Sequence, residues 1–362
     1  MTAESPALLD IREAIGQANS RQEPLCIRGG GTKDFYGQAP SGNILSTREL
    51  TGIVSYEPTE LVITARAGTP LNELNAALSD QGQFLPFEPP VFGSGGTVGG
   101  MVAAGLSGPR RAAAGAVRDY MLGACLIDSR GQWLAFGGQV MKNVAGYDIS
   151  RLLSGSLGIL GVIAEVSLKV LPLPTLERSV VLSIQEADAI RLLNELSGQP
   201  LPISASSWQA GELNIRFSGA ASAVTRAVEV FDQQHGATEL EDPEQYWQSL
   251  RDQQAPFFDN AADQTPLWRL SVPSSAARIN LPGQQLIEWG GALRWWRTDA
   301  PAQTVRSAAR SLGGTASLFR GGDKSAGVFE PLAAPLEKIH RKLKAEYDPL
   351  SLFNPGRMYP GL

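Results

Sequence analysis

The run Gly93-Ser94-Gly95-Gly96-Thr97-Val98-Gly99-Gly100-Met101-Val102-Ala103-Ala104-Gly105 decides how the chain is read. So dense a set of glycines and alanines serves where backbone must approach a ligand or another element closely. The run is neither Gly-x-Gly-x-x-Gly nor Gly-x-x-x-x-Gly-Lys-Ser/Thr, which disfavours a Rossmann site and a P-loop and leaves a different pyrophosphate cradle open. The plainer alternative is a flexible loop leading into a buried small-residue helix. About 60 residues upstream, Gly29-Gly30-Gly31-Thr32-Lys33 follows the strand-like Leu25-Cys26-Ile27-Arg28. Its successive backbone N–H groups form either an anion-binding nest, with Lys33 adding a cation, or an ordinary tight turn. Two such segments in one chain favour a dinucleotide.

A third segment, Val140-Met141-Lys142-Asn143-Val144-Ala145-Gly146-Tyr147-Asp148, precedes Leu152-Leu153-Ser154-Gly155-Ser156-Leu157-Gly158-Ile159-Leu160-Gly161-Val162-Ile163. A flavin needs backbone donors and acceptors along its pyrimidine edge and a positive charge near N1 and O2. Lys142 is a candidate for that charge, or else one half of a solvated pair with Asp148 worth little.

Composition narrows the classes. The 362 residues carry 31 Lys plus Arg against 36 Asp plus Glu, a net charge of −5, and no basic run, which argues against a nucleic-acid binder. No apolar stretch approaches the length of a membrane span. Only Cys26 and Cys125, and only His235 and His340, occur, so a disulfide framework, a zinc finger or an iron–sulfur cluster held by this chain alone is excluded. Redox chemistry therefore needs an organic cofactor. Of 39 glycines, 25 precede residue 176, whereas six of seven tryptophans follow it. A boundary is placed near Pro172 and Pro174, whose missing N–H groups forbid further sheet pairing.

The spacing predicts an α+β chain. In the first part Ser5 caps a helix begun by Pro6 with Leu8, Ile11 and Ile15 on one face. Strands follow at 43–46, 52–56 and 61–65, and Thr69 caps a helix begun by Pro70 and stopped by Gly82. A hairpin joins 122–128 to 132–136, and residues 162–171 alternate with Val162, Ala164, Val166, Leu168 and Val170 on one face. The second part reads as strands 179–185, 213–218, 267–272, 292–297 and 315–319 with helices 186–196, 220–233, 243–251 and 301–312. No internal repeat stands out. A last helix, 331–346, sets Leu332, Leu336, Ile339 and Leu343 on one face, and the tail Asp348-Pro349-Leu350-Ser351-Leu352-Phe353-Asn354-Pro355-Gly356-Arg357 follows.

The three segments in this order, with Phe353-Asn354-Pro355-Gly356 near the end, resemble the FAD-binding family of the vanillyl-alcohol oxidase and p-cresol methylhydroxylase type. The likeness covers roughly residues 20–175. Within it, the strings at 142–148 and 155–161 are similar to those of bacterial 2-hydroxy-acid dehydrogenases. The short length and Pro109-Arg110-Arg111 before Val117-Arg118-Asp119 look most like the smaller FAD-binding subunits of glycolate oxidases. The resemblance implies that Arg28, Gly29, Gly30, Gly31, Thr32 and Lys33, with Gly93, Ser94, Gly95, Gly96, Thr97, Val98, Gly99 and Gly100, hold the FAD pyrophosphate. It also implies that Ser107 and Gly108 lie along the cofactor, that Gly158, Gly161, Val162 and Ile163 approach its flavin and adenosine portions, and that Asn354 reaches the isoalloxazine. Relatives with covalent flavin carry a histidine at about the place of Thr32, so non-covalent FAD is expected here. Cys125 is expected to be a buried structural thiol.

Nothing matches the His-Gly-Asp-Gly-Asn-x-His string with which larger relatives place a metal beside the substrate, and no metal is expected. His235 and His340 read as surface residues. Arg294, Arg297 and Arg320 could meet a substrate carboxylate, but no base accompanies them, the catalytic residues stay unknown, and interface or surface charge is the preferred reading. The expected fold is a two-subdomain p-cresol-methylhydroxylase-type FAD-binding domain over 1–175, an α+β cap over 176–325, and a segment, 326–362, returning to the flavin. The expected function is glycolate oxidation to glyoxylate within a complex holding a larger FAD-binding subunit and an iron–sulfur subunit. That complex would be cytoplasmic, or peripheral to the inner membrane. A non-catalytic scaffold, supported by the tryptophan-rich cap, and a self-sufficient dehydrogenase for another small 2-hydroxy acid are the alternatives.

Overall fold

Apolar residues three and four apart bury one helix face, and the first helix does so as its spacing requires. In the computed structural model, which describes residues 5–138, 148–259 and 265–362, α1 (Pro6–Arg21) has Ser5 at its N-cap and buries Leu8, Ile11, Ile15 and Ala18. β1 (Leu25–Arg28) and β2 (Asn43–Ser46) pair in parallel. β3 (Ile53–Glu57), β4 (Val62–Arg66), α2 (Leu71–Ser79), β5 (Gln83–Phe84), α3 (Val98–Ala104), α4 (Arg111–Ala114), β6 (Met121–Ile127), β7 (Trp133–Gly137), α5 (Ile149–Leu152), β8 (Val162–Lys169) and β9 (Leu171–Pro172) follow. β3-β4-β8-β6-β7 form one antiparallel sheet. α2 and α3 pack on one face, and α1 with Leu352 and Phe353 on the other.

Three local expectations are corrected here. The alternation along β8 breaks, because Cys125 pairs with Glu165 while Leu126 pairs with Ile163, leaving Ala164 as a bulge. Val162 and Ala164 consequently face α1, whereas Val166, Leu168 and Val170 join the opposite core. Thr69 does not cap α2: its hydroxyl bonds both the N–H and the carbonyl of Gly52 at 3.0 and 3.2 Å, so Pro70 takes the N-cap position. Pro172 does pair, with Gln83, in a two-residue edge ladder where its missing donor costs nothing.

The second sheet is built from β10 (Leu176–Ser183), β11 (Ile203–Gln209), β12 (Glu212–Gly219), β13 (Thr238–Glu239), β14 (Leu267–Ser271), β15 (Gln284–Glu288), β16 (Leu293–Arg297) and β17 (Thr315–Arg320). Four helices accompany it: α6 (Glu186–Ser197), α7 (Ala221–His235), α8 (Pro243–Arg251) and α9 (Ala302–Ser311). The order is β13-β10-β12-β11-β15-β16-β14-β17, antiparallel throughout. Each half repeats one topology, with its first strand between its third and fourth and its second at the seam. A repeat is therefore present in the fold where none stands out in the sequence. The halves differ because residues 272–283, in the place of α6, form no helix.

β11 escapes the alternation rule because its buried Ser204, Ser206 and Ser207 look like solvent residues. Each spends its hydroxyl inside, with Arg216, Gly290 and Tyr246 respectively. The tryptophans of the second part, Trp208, Trp247, Trp268, Trp289, Trp295 and Trp296, are all buried. They fill this layer's core, so they form no exposed interface, and the sequence-based support for a scaffold role goes with them.

α10 (Ala334–Tyr347) is also rotated from expectation. Leu336 and Ile339 are 50% and 58% exposed, while Lys344 is buried. The Lys344 ammonium donates to Asp348 Oδ2 at 2.6 Å and to the carbonyls of Ile159 and Phe353 at 2.7 and 2.8 Å. Those three acceptors hold that face inward and leave Leu336 and Ile339 in solvent, while Leu343 packs partly buried on the first core. Asp348 in turn accepts from the N–H groups of Leu352 and Phe353.

Candidate functional site

β1 delivers Arg28 into the glycine run, and the run is glycine because the second loop lies against it. A Cβ on Gly29 would stand 2.4 Å from Thr97 Oγ1, and one on Gly30 only 1.4 Å from the Gly95 carbonyl oxygen. The two glycine segments thus wall a cleft of about 90 Å³ lined by residues 27–34, Thr97, Gly100, Asn354 and Arg357, among others. The tail closes it. Asn354, at φ 42°, accepts from the Ile27 N–H at 2.7 Å and donates to the Leu157 carbonyl at 2.6 Å. Gly158 stays bare so that Asn354 can approach, since a Cβ there would lie 2.6 Å from its Nδ2. Arg357 binds the carbonyls of Gln38, Lys33 and Asp34.

The cleft is electropositive and under-satisfied. Arg28 pairs with Asp34 at 2.5 Å, yet its buried Nε has no hydrogen-bond partner among the described residues. The Lys33 ammonium forms no hydrogen bond there either, and it lies 5.5 Å from the Phe92 ring centroid. Burial pushes its pKa down to about 8, partly opposed by Asp252. A bare nest, an orphaned guanidinium nitrogen and an unpaired ammonium fit an anionic group such as a pyrophosphate.

The expected site residues separate into groups. Residues 28–33, Thr97, Gly100 and Asn354 come together at the cleft. Gly93 and Ser94 are exposed, Gly95 lies against Gly30, Gly96 against Leu71 and Gly99 against Ala67, while Val98 is buried in the core. Gly161 turns the chain under Ile127 at φ 150°, and Val162 and Ile163 are core residues of β8. Lys142 and its string from 140 to 147 lie outside the described residues. Asp34 and Arg357, which immediately adjoin or follow the quoted motifs, belong to the cleft although no motif reading assigned them.

Ser107 and Gly108 line a second, narrow slot of about 20 Å³ with Phe92, Arg269, Glu288 and Trp295. Phe92, beneath Lys33, connects it to the cleft. Glu288 is 4% exposed and accepts from Trp295 Nε1 at 2.7 Å. Burial pushes its pKa up to about 7, against the pull of that hydrogen bond and of Arg269. Arg269 lies 5.2 Å from the Trp289 ring centroid and 6.0 Å from that of Trp295. Trp289 sits at φ 56°, a strained setting for a bulky residue, and donates to the Gly108 carbonyl at 3.0 Å.

Of the arginines singled out by sequence, Arg294 is fully buried and holds the carbonyls of Gly291 and Ala276, so it is a structural residue and neither a surface charge nor a ligand for substrate. Arg297 binds the carbonyls of Phe257 and Asp259, while Arg320 lies over Phe35, 4.6 Å from its centroid. Cys125 is half-buried, its pKa pushed up to about 11 by burial. Among the described residues no three His, Cys, Asp or Glu side chains could hold a metal, and no helix is long and apolar enough to cross a membrane. A larger cleft, about 530 Å³, lies by Glu88, Glu177, Arg216 and Arg251. Those four charges are already paired: Glu88 with Arg110 and Arg216, Glu177 with Arg110, and Arg251 with Asp252.

Residues 7–137 match a family described as an FAD binding domain. Glycolate oxidase subunit GlcE of Escherichia coli (strain K12) is 48% identical over 358 residues, 99% of this chain and 98% of that protein. Glycolate oxidase subunit GlcD of Bacillus subtilis (strain 168) is 28% identical over 50% of this chain and 38% of that protein. The D-lactate dehydrogenase of Archaeoglobus fulgidus is 30% identical over 54% of this chain and 44% of that protein. Among solved structures, an alkyldihydroxyacetonephosphate synthase superposes with a TM-score of 0.68 over 96% of this chain and 75% of that one, at 15% identity, which is a likeness of fold.

Proposed function

The chain belongs to the family of glycolate oxidase subunit GlcE, FAD-binding oxidoreductases, and from that premise we propose that it is the smaller FAD-binding subunit of a glycolate-oxidising complex. The observation that carries this is the cleft between the two glycine loops, with the orphaned Arg28 Nε and the unpaired Lys33 turned to an anion. FAD would supply the two-electron acceptor when bound. Arg28 to Lys33, with Thr97 and Gly100, would hold its pyrophosphate non-covalently, and Asn354 would fix the floor of the cleft. Residues 1–175 would form the cofactor-binding part, 176–325 the cap and 326–362 the segment that completes the cleft. The partners in this reading are a larger FAD-binding subunit, to which the GlcD likeness points, and an iron–sulfur subunit.

The visible spectrum of the purified chain, alone and with its partners, before and after anaerobic glycolate, tests the reading. Flavin that bleaches in the isolated chain makes it a complete dehydrogenase. Flavin that bleaches only in the complex makes it a relay or shared-site subunit, and a chain without flavin overturns the assignment.

A further inference from the structure

Lys344 and Asp348, 3% and 0% exposed, form an ion pair beside the cleft without lining it. Two buried charges are costly to desolvate, and an apolar pair would anchor a helix end as well. The remaining hydrogen bonds of the pair show what the charges add. An ammonium has three donors, and all three are spent here: on Asp348 Oδ2 at 2.6 Å and on the carbonyls of Ile159 and Phe353 at 2.7 and 2.8 Å. Asp348 in turn takes the N–H groups of Leu352 and Phe353 at 2.9 and 2.8 Å. These partners bracket Asn354. Phe353 immediately precedes it, and Ile159 lies two residues beyond Leu157, whose carbonyl accepts from Asn354 Nδ2 at 2.6 Å. One ammonium therefore ties together the tail that carries the asparagine and the turn that its side chain grips. Asn354 itself is left-handed, at φ 42°, a setting that surrounding contacts must impose.

We propose that Lys344 is a positioning residue for the cofactor: by fixing the tail against the 157–159 turn it sets the side chain of Asn354 on the floor of the cleft, and so sets how tightly FAD is held. The proposal rests on the reading that the cleft between the glycine loops holds the FAD. It gives α10, no residue of which lines the cleft, control over cofactor retention. The reason is geometric. Asn354 Oδ1 takes the Ile27 N–H at 2.7 Å while its Nδ2 reaches the Leu157 carbonyl, so the side chain spans β1 and the turn. A shift of the tail relative to the turn breaks one of these bonds or the other, since hydrogen bonds weaken steeply outside a narrow range of distance and angle. An apolar side chain at 344 can fill the same space, but it cannot hold two carbonyl oxygens within reach of one point.

Flavin titrations on the full-length chain, run well below the melting temperature, test this without reference to turnover. While nearly all of the chain is folded, a loss of global stability alone does not change the measured affinity, which scales with the folded fraction. Lys344→Met/Asp348→Asn removes the ion pair without stranding a charge and keeps an acceptor for the tail N–H groups. It should recover most of the stability lost by Lys344→Met alone, yet bind FAD about tenfold more weakly than the native chain. Asn354→Gly, which suits the left-handed backbone, should weaken FAD about tenfold by itself. Adding Lys344→Met/Asp348→Asn to it should then cost nothing more, because residues acting through one contact are not additive. Lys344→Gln, whose amide keeps a donor for Asp348, is the milder variant and should give an intermediate loss. Native affinity in either folded 344 variant, or losses that multiply with that of Asn354→Gly, overturns the positioning role and leaves a purely structural pair. Lys33→Met separates this failure from a failure of the cleft. Unchanged FAD affinity in Lys33→Met overturns the cleft reading and the positioning role with it, whereas weakened FAD there beside native affinity in the 344 variants overturns the positioning role alone.

Discussion

Lys33 pits stability against function within one side chain. Its pKa is lowered on folding, to about 8, so the cofactor-free fold bears the cost of a buried charge below that pH and sheds it as pH rises from about 8 towards 10.5. Lys33→Met should therefore stabilise the cofactor-free chain at pH 7 by about 1 kcal/mol, the residue being half-buried, and lower FAD affinity about tenfold; urea melts and flavin titration check both. Glu288 has the opposite sense. Its folded pKa is raised from 4.5 to about 7, so the fold is favoured while the acid is protonated and loses stability as pH climbs from 4.5 to 7. Glu288→Gln should flatten that slope, by about 1–3 kcal/mol between pH 4.5 and 8, in denaturant melts run across pH. Arg28 to Lys33 drew notice only because a second glycine segment stands in the same chain, since a lone glycine run after a strand reads as an ordinary tight turn. Arg269 and Glu288 drew none, since each sits in an ordinary strand and acquires meaning only when β14 and β15 flank the same slot.

Among the elements, many strand and helix positions followed periodicity, β15 was not foreseen at all, and α10 and β11 departed from expectation because polar groups did the burying. α10 is the clearest case, since its inward face is set by Lys344 and Asp348, a buried pair no hydropathy pattern reveals. Lys344→Met would leave Asp348 charged and unpaired, at a cost of about 3–5 kcal/mol, whereas Ile339→Ser on the exposed side should change stability by less than about 0.5 kcal/mol. Thermal melts of the two variants separate a helix anchored through its lysine from one anchored through its leucine stripe. β11 hid for the same reason, its serines satisfied internally. The bulge at Ala164 was hidden because period-two counting assumes that no residue is inserted.

At the scale of the molecule, the two sheets are tied by Glu88, whose carboxylate accepts from the N–H and Nε of Arg110 at 2.9 and 3.2 Å and from Arg216 of the second sheet at 2.8 Å. Arg110 reaches on to Ser218 and Glu177. Glu88→Ala, which strands the buried Arg216 guanidinium and leaves Arg110 only Glu177 and Ser218, should cost about 3–5 kcal/mol and split one calorimetric unfolding transition into two. Glycine is denser before residue 176 and tryptophan after it, but the joint between the two sheets depends on Glu88 and Arg216, more than 100 positions apart, and leaves no local trace. The cleft has its own long-range dependence. Leu25 and Ile27 receive their partners from Leu352 and Asn354, so β1 is among the first strands translated and among the last to be completed. Until residue 357 has cleared the ribosome there is no finished nest. Flavin loading should therefore follow translation, and a nascent polypeptide stalled at residue 340 should emerge with both glycine loops made but without Asn354 and Arg357 to close the cleft.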